Sequence, residues 1–180
     1  MISIALKREG YRPKGNLIDQ TGWLPANTAV VGFLKALNTA FNGGVELKFR
    51  DVDGATQDFV PYQFNLRVAA TSTVKTWGII IGTGNRATTL QDYCLQSPVT
   101  ANITYPAVTT SVDTPEAGTR RLQIARTFTN GTGAAVQIEE VGLFHATYYS
   151  KILMFDRTLH SYSLANGASC TFTYGISATV

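Results

Sequence analysis

The sequence predicts a mainly β protein: an antiparallel β-sandwich or jelly-roll-like domain with one amphipathic helix and an extended N-terminal arm. Three observations lead there. Threonine is the commonest residue, aromatics make up 11%, and there are 16 glycines. Threonine and aromatic side chains suit a pleated, half-buried surface, and glycine suits turns and bulges. From residue 45 onward apolar residues recur mostly with a period of two, the spacing of a strand with one buried face. Asp53-Gly54, Asn130-Gly131 and Asn166-Gly167 then punctuate these runs as turn dipeptides. A chain of 180 residues, 44% apolar, suffices for one domain with a real core.

Gly10, Pro13, Gly15, Gly22 and Pro25 interrupt residues 1–25 and argue against a long regular element. Apolar residues are nevertheless too frequent there for a solvated tail. The segment reads as an arm over residues 1–25 that docks on its own domain or on a neighbouring subunit. Its candidate contacts are Ile4, Leu6, Tyr11, Leu17 and Trp23. Residues 26–180 form the single β-sandwich domain, beginning with a helix over 27–42. Asn27 or Thr28 can cap that helix. Val30, Phe33, Leu34, Leu37 and Phe41 make its apolar stripe, and Asn42-Gly43-Gly44 ends it.

Val45, Leu47 and Phe49 then alternate with charged residues, and Asp51-Val52-Asp53-Gly54 turns the chain into a return strand over Thr56–Val60. Phe64, Leu66 and Val68 begin another strand. Trp77–Ile81 is a short continuous apolar strand, and residues 102–112 can form one more. Leu122, Ile124 and Phe128 share a strand that ends at Asn130-Gly131-Thr132-Gly133. Val136 and Ile138 lie on one parity, Val141 and Leu143 on the other. That change predicts a β-bulge, with an extra residue in this strand at Glu139-Glu140. Ile152, Met154 and Phe155 begin the next strand. Cys170, Phe172, Tyr174, Ile176 and Ala178 line one face of the last.

Charged residues amount to 15%, against a typical ~25%. Two readings fit: a surface partly covered by other subunits, or an ordinary threonine-rich β surface. A net charge of +3, with basic residues dispersed apart from Lys7, Arg8, Arg12 and Lys14, argues against the dense cationic face of a nucleic-acid binder. No apolar run approaches the ~20 residues that span a bilayer. Met1–Leu6 is too short for a signal-peptide core, which predicts synthesis in the cytoplasm. Cys94 and Cys170 are then expected as free thiols, although a bond between them stays open.

Motifs with chemical meaning are sparse. Gly82-Thr83-Gly84-Asn85 follows a strand, but it lacks the third glycine of a dinucleotide fingerprint and the lysine of a P-loop. It reads as a turn. His145 and His160 are the only histidines, and no spacing gathers them with Asp92, Glu139, Glu140 or Asp156 into a metal site. No serine sits in a nucleophile-elbow context. The expectation is therefore no catalytic residue, no metal and no cofactor. Glu140 flanks the apolar Val141-Gly142-Leu143-Phe144, and Arg157 follows the apolar Ile152–Phe155. On neighbouring strands they would pair in a partly buried site and fix the register. The competing reading leaves them as two separate surface charges.

A spaced pattern runs through the second half of the chain. It comprises Ile81-Gly82-Thr83-Gly84, Thr88-Thr89, Asp92-Tyr93-x-Leu95, Arg126-x-Phe128-x-Asn130, Ile138-Glu139-Glu140-Val141-Gly142-Leu143-Phe144, Asp156-Arg157, Asn166-Gly167 and Thr171-Phe172-Thr173-Tyr174-x-Ile176. From Trp77 onward the chain resembles small structural proteins of tailed-bacteriophage virions, such as head-decoration, collar or tail-associated components. The resemblance implies a non-enzymatic, repeated subunit whose partners are copies of itself and other virion proteins. It implies no membrane and no specific nucleic acid. An alternative is a module of a fibre or tail tip that binds a host-surface glycan or receptor, with Trp77, Tyr148 and Tyr149 as aromatic platforms.

Overall fold

The computed structural model describes residues 2–13, 15–25, 34–35, 38, 47–59, 66–147 and 151–179. Strands dominate them, and every pairing between strands is antiparallel. The largest sheet is built on β1 (Ile2–Tyr11), β9 (Thr119–Asn130) and β12 (Ser169–Thr179). Its order is β2-β1-β12-β9-β7, where β2 is Leu17–Gln20 and β7 is Ile103–Thr104. β3 (Leu24–Pro25) also pairs with β1, and β8 (Thr109–Asp113) also pairs with β9. A second sheet has the order β11-β10-β6, from Ile152–Leu164, Val136–Ala146 and Gly78–Gly82. β4 (Leu47–Arg50) and β5 (Thr56–Phe59) form a hairpin around Asp51–Gly54, where Gly54 has φ of 81°.

The inner rows of the large sheet follow from alternation. Leu6, Tyr174 and Ile124 lie in one cross-strand row, and Arg8, Phe172 and Arg126 in the next. All six are buried. The four apolar ones join Ile79, Ile81, Val141 and Leu143 of the second sheet in one core cluster. Phe128 meets Tyr105 and Phe172 edge-on, at 5.0 and 6.1 Å between ring centroids. Threonine recurs among the alternate residues of β9 and β12. Thr127 pairs with Thr171 at 2.8 Å, Thr129 with Ser169 at 2.7 Å and Thr119 with Thr179 at 3.1 Å, as a hydroxyl ladder between the strands.

Of the two dockings open to the N-terminal segment, the structure shows the one on its own domain, and it corrects the irregular conformation expected there. Residues 2–11 are a strand of the main sheet, paired with β12 from Ile2–Ala178 to Tyr11–Ser169. The boundary placed after residue 25 therefore cuts through one sheet. Leu6 belongs to the core and Ile4 packs against it. Trp23 lies over the Arg121 guanidinium, 4.4 Å from its carbon, and beside Gly175, where a Cβ would come within 2.8 Å of the indole. Tyr11 donates its hydroxyl to Glu9 at 2.7 Å, and Leu17 is 52% exposed. Deleting this segment would uncover the β12 edge.

Of the predicted helix, residues 34, 35 and 38 are helical, and the rest of 27–42 lies outside the described residues. Leu34, placed on the apolar stripe, is 62% exposed. The strand expected from Phe64 falls partly outside the described residues. At Arg67 there is a single bridge to Ala146.

The bulge is corrected in its ownership. Register between β10 and β11 does shift at Glu139, but Ile138 faces Tyr162 while Glu140 faces Leu159. Two β11 residues, His160 and Ser161, thus oppose Glu139 alone, so the extra residue belongs to β11. A second irregularity leaves Phe155 of β11 as an extra residue between the Leu143–Asp156 and Phe144–Met154 pairs. The parity change that suggested an insertion in β10 has another cause. From Glu140 to Ala146 every residue of β10 is buried, because this central strand is covered on both faces.

Candidate functional site

The most connected polar site lies between β10, β11 and the loop that follows β6. The loop closes at its base: the Thr83 N–H donates to the Ser97 carbonyl at 2.9 Å and the Val99 N–H to that of Ile81 at 3.0 Å. Glu140 sits beside Gly82 in the β10–β6 register, and Arg157 sits beside Gly142 in the β10–β11 register. Strand alternation therefore sends both side chains to the same face, toward the loop.

There the Glu140 carboxylate accepts four hydrogen bonds. They come from Arg157 Nε at 2.8 Å, Ser97 N–H at 2.7 Å, Gln96 N–H at 3.0 Å and Gly84 N–H at 3.2 Å. Both side chains are 0% exposed. Arg157 Nη1 reaches onward to Asp92 Oδ2 at 2.9 Å. Asp92 also accepts from Thr89 N–H at 3.1 Å, Thr89 Oγ1 at 2.9 Å and Arg86 Nη2 at 2.8 Å. Arg86 is about half exposed. Carboxylate, guanidinium, carboxylate and guanidinium thus alternate from the core to solvent with no net formal charge. A guanidinium stays protonated throughout the ordinary pH range. The arrangement fastens the loop to β10 and β11.

The glycines of Gly82-Thr83-Gly84 take their meaning from this carboxylate. A Cβ at Gly82 or Gly84 would stand 2.5 or 2.6 Å from Glu140 Oε1. The loop does present a backbone N–H to an anion, as a phosphate loop would, but the anion is the protein's own Glu140. The structure brings Glu140 and Arg157 together. Sequence reasoning named Asp92 only as a possible metal ligand and missed it as the second partner of Arg157.

Burial opposes ionisation of Asp92, but the hydrogen bonds from Thr89, Arg157 and Arg86 outweigh it and hold the carboxyl below its ordinary range. The folded pKa lies below the unfolded value of about 3.9, so the contribution of Asp92 is complete above pH ~4 and is lost as pH falls through the folded value. Asp92→Asn should lower stability at pH 7 by about 1.5–3 kcal/mol. It should also flatten the loss below pH 4 in urea melts. An unchanged acid limb would show that Asp92 does not carry it.

A second buried cation, Arg126 of β9, has a different solution. Its Nε donates to the Pro106 carbonyl at 2.8 Å, and Nη1 to those of Trp77 and Ile79 at 3.2 Å each. Its Nη2 donates to the Val74 carbonyl. The guanidinium also lies 4.8 Å from the Tyr105 ring centroid. Four backbone carbonyls and an aromatic face thus surround the cation. Asn130 works similarly at the end of the strand. Its Nδ2 donates to the Ala134 and Leu164 carbonyls at 2.8 Å, and its Oδ1 accepts from Thr132 N–H at 2.9 Å and from its hydroxyl at 2.8 Å. It ties the β9–β10 turn to the end of β11.

The other sequence candidates are dispersed. His145 is buried against Phe155, with 4.3 Å between ring centroids, and His160 lies near β1. Among the described residues no three His, Cys, Asp or Glu side chains gather as a metal site requires. Cys94 and Cys170 are free thiols, and burial pushes Cys170 up to about 12. Trp77 carries the Arg67 guanidinium over its ring at 4.6 Å, and Tyr148 and Tyr149 lie outside the described residues. No helix among the described residues is long and apolar enough to cross a membrane. No family model, curated protein or solved structure matches the chain.

Proposed function

We propose that the chain is a non-enzymatic structural subunit of a tailed-bacteriophage virion, in the head, collar or tail. In this reading its two main sheets face one another as a β-sandwich, and copies assemble through sheet edges and neighbouring virion proteins. The observation that carries the reading is the use made of the buried charges. Glu140, Arg157, Asp92 and Arg126 direct their hydrogen bonds to one another and to the chain's own backbone. Such wiring stiffens a subunit without building a reactive group. The surface supports it too. β8 is exposed along nearly its whole length at one side of β9, and Val112 there is 70% exposed beside the partly exposed Leu122. Soluble monomers usually blunt such an edge with charge, proline or a bulge.

The test is quantitative mass spectrometry and immuno-electron microscopy on purified phage particles. The expected result is a fixed copy number at one location in the particle. Recovery of the chain solely from the soluble lysate, with none in particles, would overturn the reading.

A further inference from the structure

His160 and Tyr162, two residues apart on β11, both meet the Arg8 guanidinium of β1. His160 and Ser161 together oppose Glu139, and His160 reaches Arg8 of β1. Arg8 is buried, and its Nε donates to His160 Nε2 at 3.0 Å. Its Nη2 donates to Asp19 Oδ2 of β2 at 2.7 Å, and its guanidinium carbon lies 3.9 Å from the Tyr162 ring centroid. The Arg8 N–H donates to Thr21 Oγ1 at 3.0 Å, which fixes the chain beyond β2. β1 approaches β11 so closely that a Cβ at Gly10 would stand 2.3 Å from the Tyr162 hydroxyl. One polar cluster therefore fastens β1 and β2 of the large sheet to β11 of the second.

The chemistry of that fastening is one-sided. Arginine cannot accept, so His160 Nε2 must offer its lone pair, and the imidazole proton resides on Nδ1. A proton on Nε2 would remove the acceptor and set a second cation against the guanidinium. We propose that the Arg8–His160 contact is an acid-sensitive latch, closed with neutral imidazole and opened by its protonation, which loosens β1 and β2 from β11.

The charged and titratable groups around the latch are Arg8 on β1, Asp19 on β2, Glu139 on β10, Tyr162 on β11 and the buried Cys170 on β12. Burial, then the Arg8 charge, holds the His160 imidazole below its ordinary value, against the opposing pull of Asp19 and Glu139. Because the folded value is depressed, the unfolded chain binds the proton more readily. The stabilisation is complete above pH ~6.5 and is lost as pH falls toward the folded value. The loss begins near pH ~6.5, above the pH of about 4 at which that of Asp92 begins. The latch does not depend on the virion reading.

The test compares urea unfolding midpoints of the wild type and His160→Gln at about pH 7.5 and pH 5.5. Glutamine can accept from Arg8 through its amide oxygen and does not titrate. The fall in midpoint seen for the wild type should shrink by at least about half in the variant. Equal falls in the two proteins would overturn the proposal. Long-range ¹H–¹⁵N spectra of the wild type give an independent readout that needs no variant. Nδ1–H as the neutral tautomer, with a midpoint below 6.5, is expected. Nε2–H, or a midpoint at or above that value, would also overturn it. Hydrogen exchange at pH 5.5 should accelerate at Arg8–Thr21 in the wild type more than in His160→Gln.

Discussion

Replacing Arg157 with methionine should destabilise the protein by about 3–5 kcal/mol, because a fully buried carboxylate is left without its counter-ion. Glu140 would keep its N–H donors from Gly84, Gln96 and Ser97 but lose the guanidinium. Asp92 would lose one of its two cations. Glu140→Gln should be comparably costly, since its amide NH₂ group must turn toward the Arg157 guanidinium or a backbone N–H. The double variant should lose less than the sum, with a coupling of about 1–3 kcal/mol in urea melts. Additive losses would mean that the two side chains act independently. Each single variant should also be cut faster by protease within Thr83–Ser97, because this carboxylate fastens that loop to the sheet.

Arg126→Met should cost a similar amount, about 3–5 kcal/mol, for a different reason. No carboxylate is stranded. Instead the carbonyls of Val74, Trp77, Ile79 and Pro106 lose their donor. An unsatisfied buried acceptor costs about 1–3 kcal/mol, and water entering the vacated space would relieve part of the total. Arg126→Lys should recover only a fraction, because one ammonium cannot reach carbonyls spread around a planar fork. A loss below about 1 kcal/mol for Arg126→Met would show that those carbonyls find other donors without strain.

Residues missed in the sequence share a property with those misread. Ile2, Ile4, Leu6, Arg8 and Gly10 have one parity on β1, and the last two break the apolar alternation that announces a strand. Arg8 is tolerated there because His160 and Asp19 accept from it, and Gly10 because Tyr162 occupies the space of a side chain. Arg126 stands between Ile124 and Phe128 on the core parity of β9, so a buried cation was readable at that position. What it contacts was not, since its acceptors are backbone carbonyls from two distant segments. In β10 the parity change reads as an insertion only if the strand has one buried face, whereas burial on both faces from Glu140 onward produces the same pattern.

Local chemistry determined what recurs every two residues and what each turn requires. The strands at Gly78–Gly82, Thr119–Asn130, Ile152–Leu164 and Ser169–Thr179, the turns at Asp51–Gly54, Asn130–Gly133 and Asn166-Gly167, and the alternation of Cys170, Phe172 and Tyr174 follow from backbone pleat and glycine or asparagine at the bends, whereas the single strand expected over 102–112 is two, Ile103–Thr104 and Thr109–Asp113. The adjacency of Glu140 and Arg157 could be argued from neighbouring strands alone. Tertiary structure alone decided that β1 pairs with β12 at the other end of the chain, that Asp92 joins Arg157, and that the extra residue at Glu139 belongs to β11. The physical reason is that alternation is a property of one strand. The choice of partner, and the compensation of a buried charge, depend on groups that are remote in sequence and meet only when the sheets close on a common core.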